Sequence, residues 1–342
     1  MKLSLKMNIN MDIDFVLTWV NMNDSEWKDE FSIHARKNGI ERNSVSEARF
    51  RDNGFLRFWF RGVCEFTPWV RRIHVVISDK CRLPGWLDTH NPKLNIVRHS
   101  DIIPEKFLPT FNSVVIERYI YRIKDLSEHF VYFNDDFYII RPVSKERFFK
   151  NGLPCDIAAF MYNPSWSQWY RRIKNNVRII NRHFDKNRVM DKFHDKWFDS
   201  NYGNKALWNH ILKYYGKFIT LRTPHNAQPY LKKTFEQVWN AAGNELTATS
   251  ANRFRAKTDY TPELFRMWQI CMGNFEPYNT YSDTRMFPLM VRPLQAIKAI
   301  HNQTYSLICL NDNMHIRNYT LIMNDIKQAF ESILPEKCRF EL

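Results

Sequence analysis

The 342-residue chain sets 50 Lys+Arg against 36 Asp+Glu, a formal charge of +14, and is 44% hydrophobic and 15% aromatic. That is enough apolar material for a real core, which excludes a disordered polymer. Nine glycines and six scattered cysteines leave no GxGxxG, no GxxxxGK[ST] and no CxxC, so phosphate binding would fall to Arg, Lys or a metal and the thiols read as isolated and reduced.

Residues 12–20 alternate Ile13, Phe15, Leu17 and Trp19 with Asp14, Val16, Thr18 and Val20, the pattern of a buried strand that ends in turn formers at 21–24. No run reaches the ~18 apolar residues of a membrane span. Asn8, Asn10, Asp12 and Asp14 interrupt the basic N-terminus before a signal core forms, so a soluble, cytoplasmic chain is expected. A helix reads over 25–37, with Ser25 as N-cap and Gly39 as stop. Asp52 or Asn53 caps the next, whose Phe55, Phe58, Trp59, Val63 and Phe66 form an apolar stripe ended by Pro68. Strands at 73–78 and 94–98, a Pro-bearing loop, a helix over 112–123 and a strand at 130–134 follow. Past Asp135-Asp136 the extended run resumes at 137–141. This order predicts an α/β fold with a mostly parallel sheet.

The second half reads as more helical. Residues 169–197 carry nine Lys/Arg and three Asp, with Trp169, Ile173, Val177, Ile180 and Phe184 at helical spacing, a basic amphipathic insertion. Helices are expected at 204–215 before Gly216, at 262–272 before Gly273 and near 318–333, with strand-like runs at 218–222 and 306–310. Without repeats or a low-complexity linker, the expectation is one domain over 1–342. It would hold a basic insertion at about 160–215 and a C-terminal helix at about 317–334.

Polar residues cluster where apolar strands stop: Asn21 and Asp24, then Asn134-Asp135-Asp136, then Asn311-Asp312. The carboxyl ends of parallel strands are where α/β sheets bind ligands. Carboxylates there suit a hard divalent cation such as Mg²⁺, or serve as turn formers and caps. Adjacent strand residues point to opposite faces, so Asp135 and Asp136 share a ligand only if the chain turns at once. Arg49-Phe-Arg51-Asp-Asn53 precedes a helix and Arg253-Phe-Arg255 repeats the pattern; each is an anion site or a solvated arginine pair. Pro224 and Pro229 flank His225, which reads equally as a general base or a structural histidine.

Taken together these segments resemble the Stealth family, the bacterial capsular-polysaccharide phosphotransferases and their animal relative, the lysosomal-enzyme N-acetylglucosamine-1-phosphotransferase. Its first block is matched by Ile13-Asp-Phe-Val-Leu-Thr-Trp-Val-Asn-Met-Asn-Asp24, with Met22 where the family has glycine and Leu17 where it has an aromatic. The second runs from Arg49-Phe-Arg-Asp-Asn-Gly-Phe-Leu-Arg57 through Pro68-Trp-Val-Arg-Arg-Ile73 and Leu108-Pro-Thr-Phe-Asn-Ser113 to Leu126-Ser-Glu-His-Phe-Val-Tyr-Phe-Asn-Asp-Asp136. Thr223-Pro-His225 with Arg253-Phe-Arg255, and Ile308-Cys-Leu-Asn-Asp-Asn313, match the third and fourth.

The resemblance implies a Rossmann-like, glycosyltransferase-A-like sheet with helical insertions. It also implies transfer of a sugar 1-phosphate from a nucleotide-diphosphate sugar, UDP-N-acetylhexosamine or a similar hexose donor, to a hydroxyl of a capsular or cell-surface glycan, with release of a nucleoside monophosphate. On the same footing, Asp135 and Asp136 hold Mg²⁺ or Mn²⁺, His225 is the base, Arg255 meets the diphosphate, and Asp312 is a further active-site carboxylate. Asp14, Asn21, Arg51, Asn53, Asn112 and Arg253 line the donor pocket. The basic insertion faces an anionic or neutral glycan acceptor, or the inner membrane surface and a capsule-assembly complex, or is a solvated helix face. Two rivals stay open: a metal-dependent nucleotide-sugar glycosyltransferase releasing UDP, and a basic nucleic-acid-binding protein. No recognised nucleic-acid motif is present, so no nucleic-acid partner is expected.

Overall fold

A computed structural model describes residues 11–36, 45–46, 49–161, 168–312 and 315–342. The basic start, the expected helix stop at Gly39 and Asn313 lie outside these. In chain order the strands are β1 (Ile13–Thr18), β2 (Ile73–Ile77), β3 (Leu94–Arg98), β4 (His129–Phe133), β5 (Phe137–Ile139) and β6 (Phe149–Lys150). Then come β7 (Leu153–Asp156), β8 (Gln228–Leu231), β9 (Glu276–Pro277), β10 (Thr284–Pro288) and β11 (Leu307–Asn311). The α-helices are α1 (Ser25–Ala35), α2 (Leu56–Phe66), α3 (His99–Ile102), α4 (Ser113–Tyr119), α5 (Gln168–His183) and α6 (Lys186–Lys192). They continue with α7 (His194–Trp197), α8 (Leu207–Leu212), α9 (Lys232–Ser250), α10 (Glu263–Cys271), α11 (Pro293–His301) and α12 (Tyr319–Ile333).

The main sheet runs β3-β2-β1-β4-β8. Its first four strands are parallel, and β8 pairs antiparallel with β4. Strand alternation splits the core in two. Phe15, Leu17, Val75 and Phe133 pack on one face with α2, β11 and α12, whereas Val16, Val76, Phe130 and Tyr132 pack on the other with α4, α5, α9 and α10. A second sheet, β10-β11-β5, begins where the chain leaves β4. Gly62 lets α2 lie directly on it, since a Cβ there would sit 2.5 Å from the Ile139 carbonyl oxygen.

The α/β architecture and parallel core follow the expectation, and several details differ. Asp24, not Ser25, caps α1, its carboxylate accepting from the Glu26 and Trp27 amides. Neither Asp52 nor Asn53 caps α2: Asp52 accepts from the Gly54 amide at 3.0 Å in a turn of its own, and the helix starts at Leu56. The basic amphipathic insertion is built of successive helices: α5 ends at His183, Asp185 caps α6 through the Arg188 amide, and α7 follows. The stretch 218–222 makes only a single bridge, Phe160 to Leu221. The true strand is β8, where Tyr230 lies opposite Phe130. Helices α9 and α11 and strand β10 carried no signal read from the sequence. Among the described residues no helix is long and apolar enough to cross a membrane.

Candidate active site

The chain turns as soon as β4 ends. Tyr132 accepts from the Thr18 hydroxyl and donates to Asn134 Oδ1, both at 2.8 Å, and Tyr138 donates to the Asp135 carbonyl at 2.9 Å. That immediate turn sends both Asp135 and Asp136 into one cleft of about 590 Å³ over the carboxyl ends of β1 and β4. Antiparallel pairing then delivers residues that are remote in sequence. Because β8 runs against β4, the segment entering β8 carries His225 to the rim where β4 ends. Because β11 runs against β5, its exit carries Asp312 to β5's entrance, with the Leu310 amide on the Asp136 carbonyl at 2.9 Å. Arg51, Asp52 and Asn53 enter from the segment before α2, and Arg255 from the loop after α9.

His225 Nε2 stands 3.8 Å from Asp136 Oδ2, and the ring meets Phe137 edge-on. Burial opposes charge on this imidazole, but Asp136, Glu263 and Glu117 outweigh it and raise its pKa above the usual histidine value. Burial and then the Asp136 charge raise Asp135, and burial raises Asp52. Opposite them, Arg255 donates to Ser113 Oγ at 2.5 Å. Arg51 ion-pairs with Asp312 at 3.4 Å and lies 4.6 Å over the Tyr319 ring, while the Tyr319 hydroxyl donates to Asn53 Oδ1.

The donor set fits a hard divalent cation. Asp136 Oδ1 is buried with no hydrogen-bond partner among the described residues, next to a second carboxylate whose charge is disfavoured, and a cation satisfies both. Asp136, His225 and Cys309 place ligand atoms within 4.8 Å of one another. Burial, with Asp136's charge behind it, pushes the Cys309 thiol well above its usual value, and it donates to Asp136 Oδ2 at 3.2 Å. Cys309 here serves as a hydrogen-bond donor to the carboxylate.

Residues 49–156 match the Stealth protein conserved region 2. The chain is 36% identical over 334 residues to a capsular polysaccharide phosphotransferase, WcwK, of Streptococcus pneumoniae, spanning 97% of this chain and 99% of that one. The chain belongs to the Stealth family. It is also 33% identical to exopolysaccharide phosphotransferase cps2G of Lactiplantibacillus plantarum, over 96% of both chains. With receptor polysaccharide phosphotransferase WefC of Streptococcus gordonii it shares 35% identity, over 96% of this chain and 99% of the relative. This Stealth chain is a phosphotransferase.

The cleft gathers Arg51, Asn53, Asp135, Asp136, His225, Arg255 and Asp312. Four residues expected to line the donor pocket lie elsewhere. Asp14 is fully buried at the start of β1, where its carboxylate accepts from Arg71 Nε at 2.8 Å and the Ser127 amide at 2.8 Å and meets His74 at 3.1 Å. Asn21 accepts from the Asn23 amide in a turn. Asn112 donates to the Asn252 carbonyl at 3.1 Å and to Asp259 Oδ2 at 3.0 Å, so it anchors the loop that carries Arg255 rather than lining the cleft. Arg253 donates to the Pro109 carbonyl in the same anchoring.

Ser113 and Glu117 belong to the second block, but no role was read for them from the sequence, nor for Arg266 and Asp156. Glu117 sits behind Arg255, and Ser113 bonds to both. The buried Arg266–Asp156 pair reaches the loop before His225, because Arg266 also donates to the Arg222 carbonyl at 2.8 Å. These roles arise from tertiary approach, which no local spacing encodes.

Proposed function

We propose that this Stealth chain transfers a sugar 1-phosphate from a nucleotide-diphosphate sugar to a hydroxyl of a capsular or surface glycan. The acceptor oxygen forms a bond to the sugar-bearing phosphorus. The phosphoanhydride bond breaks, and its electron pair leaves with a nucleoside monophosphate. The observation that carries the reading is the convergence of Asp135, Asp136, Arg255 and His225 on one cleft, in a chain similar along its length to polysaccharide phosphotransferases.

Each residue has a physical task. Arg255 and Arg51 supply fixed positive charge for the diphosphate oxygens, the main requirement of phosphoryl transfer. His225 takes the acceptor proton, and Asp136 orients its ring. Asp135 and Asp136 would hold Mg²⁺ or Mn²⁺, which when bound draws charge from the diphosphate. The 3-2-1-4 strand order, with the acidic pair at the end of β4, supports a glycosyltransferase-A-like reading. A nucleotide-sugar donor places the reaction on the cytoplasmic side, peripheral to any membrane-bound acceptor.

A panel of nucleotide sugars with chromatography of the products tests this. The expected product is UMP or CMP, lost on adding EDTA, restored by Mg²⁺ and reduced ~10²-fold or more in His225→Ala. UDP as product would instead establish glycosyl transfer.

A further inference from the structure

His225 has two sides, and only one faces the donor cleft. On the other lies a smaller cavity of about 280 Å³ lined by Trp169, Thr223, Pro224, His225, Glu263 and Met286. Nothing in the phosphotransfer chemistry accounts for Glu263 or Trp169. Glu263 opens α10, and its Oε2 is buried with no hydrogen-bond partner among the described residues. A carboxylate has acceptor positions only, so an unmatched buried oxygen at a cavity wall calls for a hydroxyl or amine donor. Trp169 is 37% exposed, and Met286 is exposed as well, so part of the indole offers a flat apolar surface.

We propose that this cavity is the acceptor subsite and takes the terminal pyranose of a neutral glycan. The proposal rests on the phosphotransfer reading and deepens it by assigning the acceptor side. The C–H face of the ring packs on Trp169, and ring hydroxyls donate to Glu263. One hydroxyl is thereby presented to His225, which stands between the two cavities and lines both. Charge sets the selectivity. Glu263 stands in the wall, and Asp136 Oδ2 lies 3.8 Å from the imidazole that lines the same cavity, so carboxylates already face this space. A uronate or phosphorylated sugar would bring a further negative charge beside them, and like charges at short range repel. Selection thus acts at the terminal ring.

Saturation-transfer NMR on the full chain tests the subsite with methyl glycosides of glucose, galactose, N-acetylglucosamine and glucuronic acid as probes. The neutral glycosides should bind and the glucuronoside should not. Trp169→Ala should weaken neutral binding about fivefold, the scale of one aromatic contact, and Trp169→Phe should weaken it less. Glu263→Gln should narrow the gap between neutral and anionic probes. Melting temperatures check that the variants fold, and Trp169→Phe carries the test if Trp169→Ala does not. Failure of every neutral glycoside to bind, or unchanged binding in folded Trp169 and Glu263 variants, overturns the proposal. The readout needs no turnover. Glycoside binding through Trp169 with UDP as product keeps the subsite and refutes phosphotransfer, and monophosphate release with glycosides bound elsewhere does the reverse.

Discussion

Glu117 is a carboxyl group buried behind Arg255, the cation proposed to meet the diphosphate. Burial pushes its pKa up to about 7, Arg255 pulls against that rise, and Glu263 adds to it. The folded-state value lies above the unfolded 4.5, so the fold holds the extra proton below pH 7 and loses that contribution as pH rises through it. An anionic diphosphate on Arg255 favours the protonated form further, so donor binding should take up a proton. Wild-type donor affinity should fall roughly tenfold between pH 6 and 8, the size of one added charge at short range. Glu117→Gln should flatten the slope and bind tighter at pH 8. Calorimetry in buffers of different ionisation enthalpy reads the proton directly, and equal slopes in both proteins would remove Glu117 from the donor site. Asp14 makes the contrasting case. Burial alone would raise its pKa, but His74, Arg71 and the Ser127 amide hold it below the ordinary value. Its contribution is present above pH 3.8 and lost as pH falls through the lowered value. Asp14→Asn should cost about 3–5 kcal/mol in a urea melt, as breaking a buried pair does, and leave the donor KM of the folded fraction unchanged.

Between residue and fold stand the elements that aim the site. Helix α10 carries Arg266, which is buried and donates three hydrogen bonds to Asp156 and one each to the Ile157 and Arg222 carbonyls. Gln228 completes Asp156 at 3.0 Å. The pair therefore fixes β7, β8 and the loop to His225 as one unit. Lysine keeps the charge without the planar fork, so Arg266→Lys should lower kcat by up to about 10²-fold through a displaced imidazole. Donor KM, set by Arg255 and the carboxylates, should change little, and a donor-KM effect equal to the kcat effect would assign Arg266 a different role. At this scale the sequence was partly legible. The alternation at 12–20 and the apolar run into Asp135-Asp136 marked β1, β4 and the acidic rim, because strand period and strand-end polarity are local. The prolines around His225 and the repeated Arg-Phe-Arg at 253–255 singled out both residues, and the motif blocks gave them roles. That Asp135 and Asp136 share a cleft was not legible, since it depends on the turn pinned by Tyr132 and Tyr138. Asn112 and Arg253 were expected in the donor pocket but lie one layer behind the cleft for the same reason: their blocks are adjacent to the site in sequence, and their hydrogen bonds go to the segments behind it.

For the whole molecule, the charge of +14 is distributed in a way composition cannot reveal. Three of the nine cations in the 169–197 stretch serve the fold. Arg172 is buried and donates to the Ala256 carbonyl at 2.9 Å. Lys186 is buried with its ammonium on the Leu212 and Lys213 carbonyls at 2.9 and 2.8 Å. Lys196 reaches the Gly273 and Phe275 carbonyls at 2.9 and 2.6 Å. The remaining six, Arg171, Lys174, Arg178, Arg182, Arg188 and Lys192, are exposed and form the basic surface. Reversing Arg171, Lys174 and Arg178 to Glu lowers the net charge by six without touching the core. Binding to polyphosphate, or to vesicles rich in anionic lipid, should weaken and lose part of its salt dependence, since exposed charges at this range act through a field that ions screen. Turnover of a short neutral acceptor should persist. Arg172→Glu should instead unfold the region, burying a carboxylate where a cation capped carbonyls. A triple variant that loses short-acceptor turnover as fully as polyanion binding would mean that this face belongs to the active site, not to the surface that gathers the polymer.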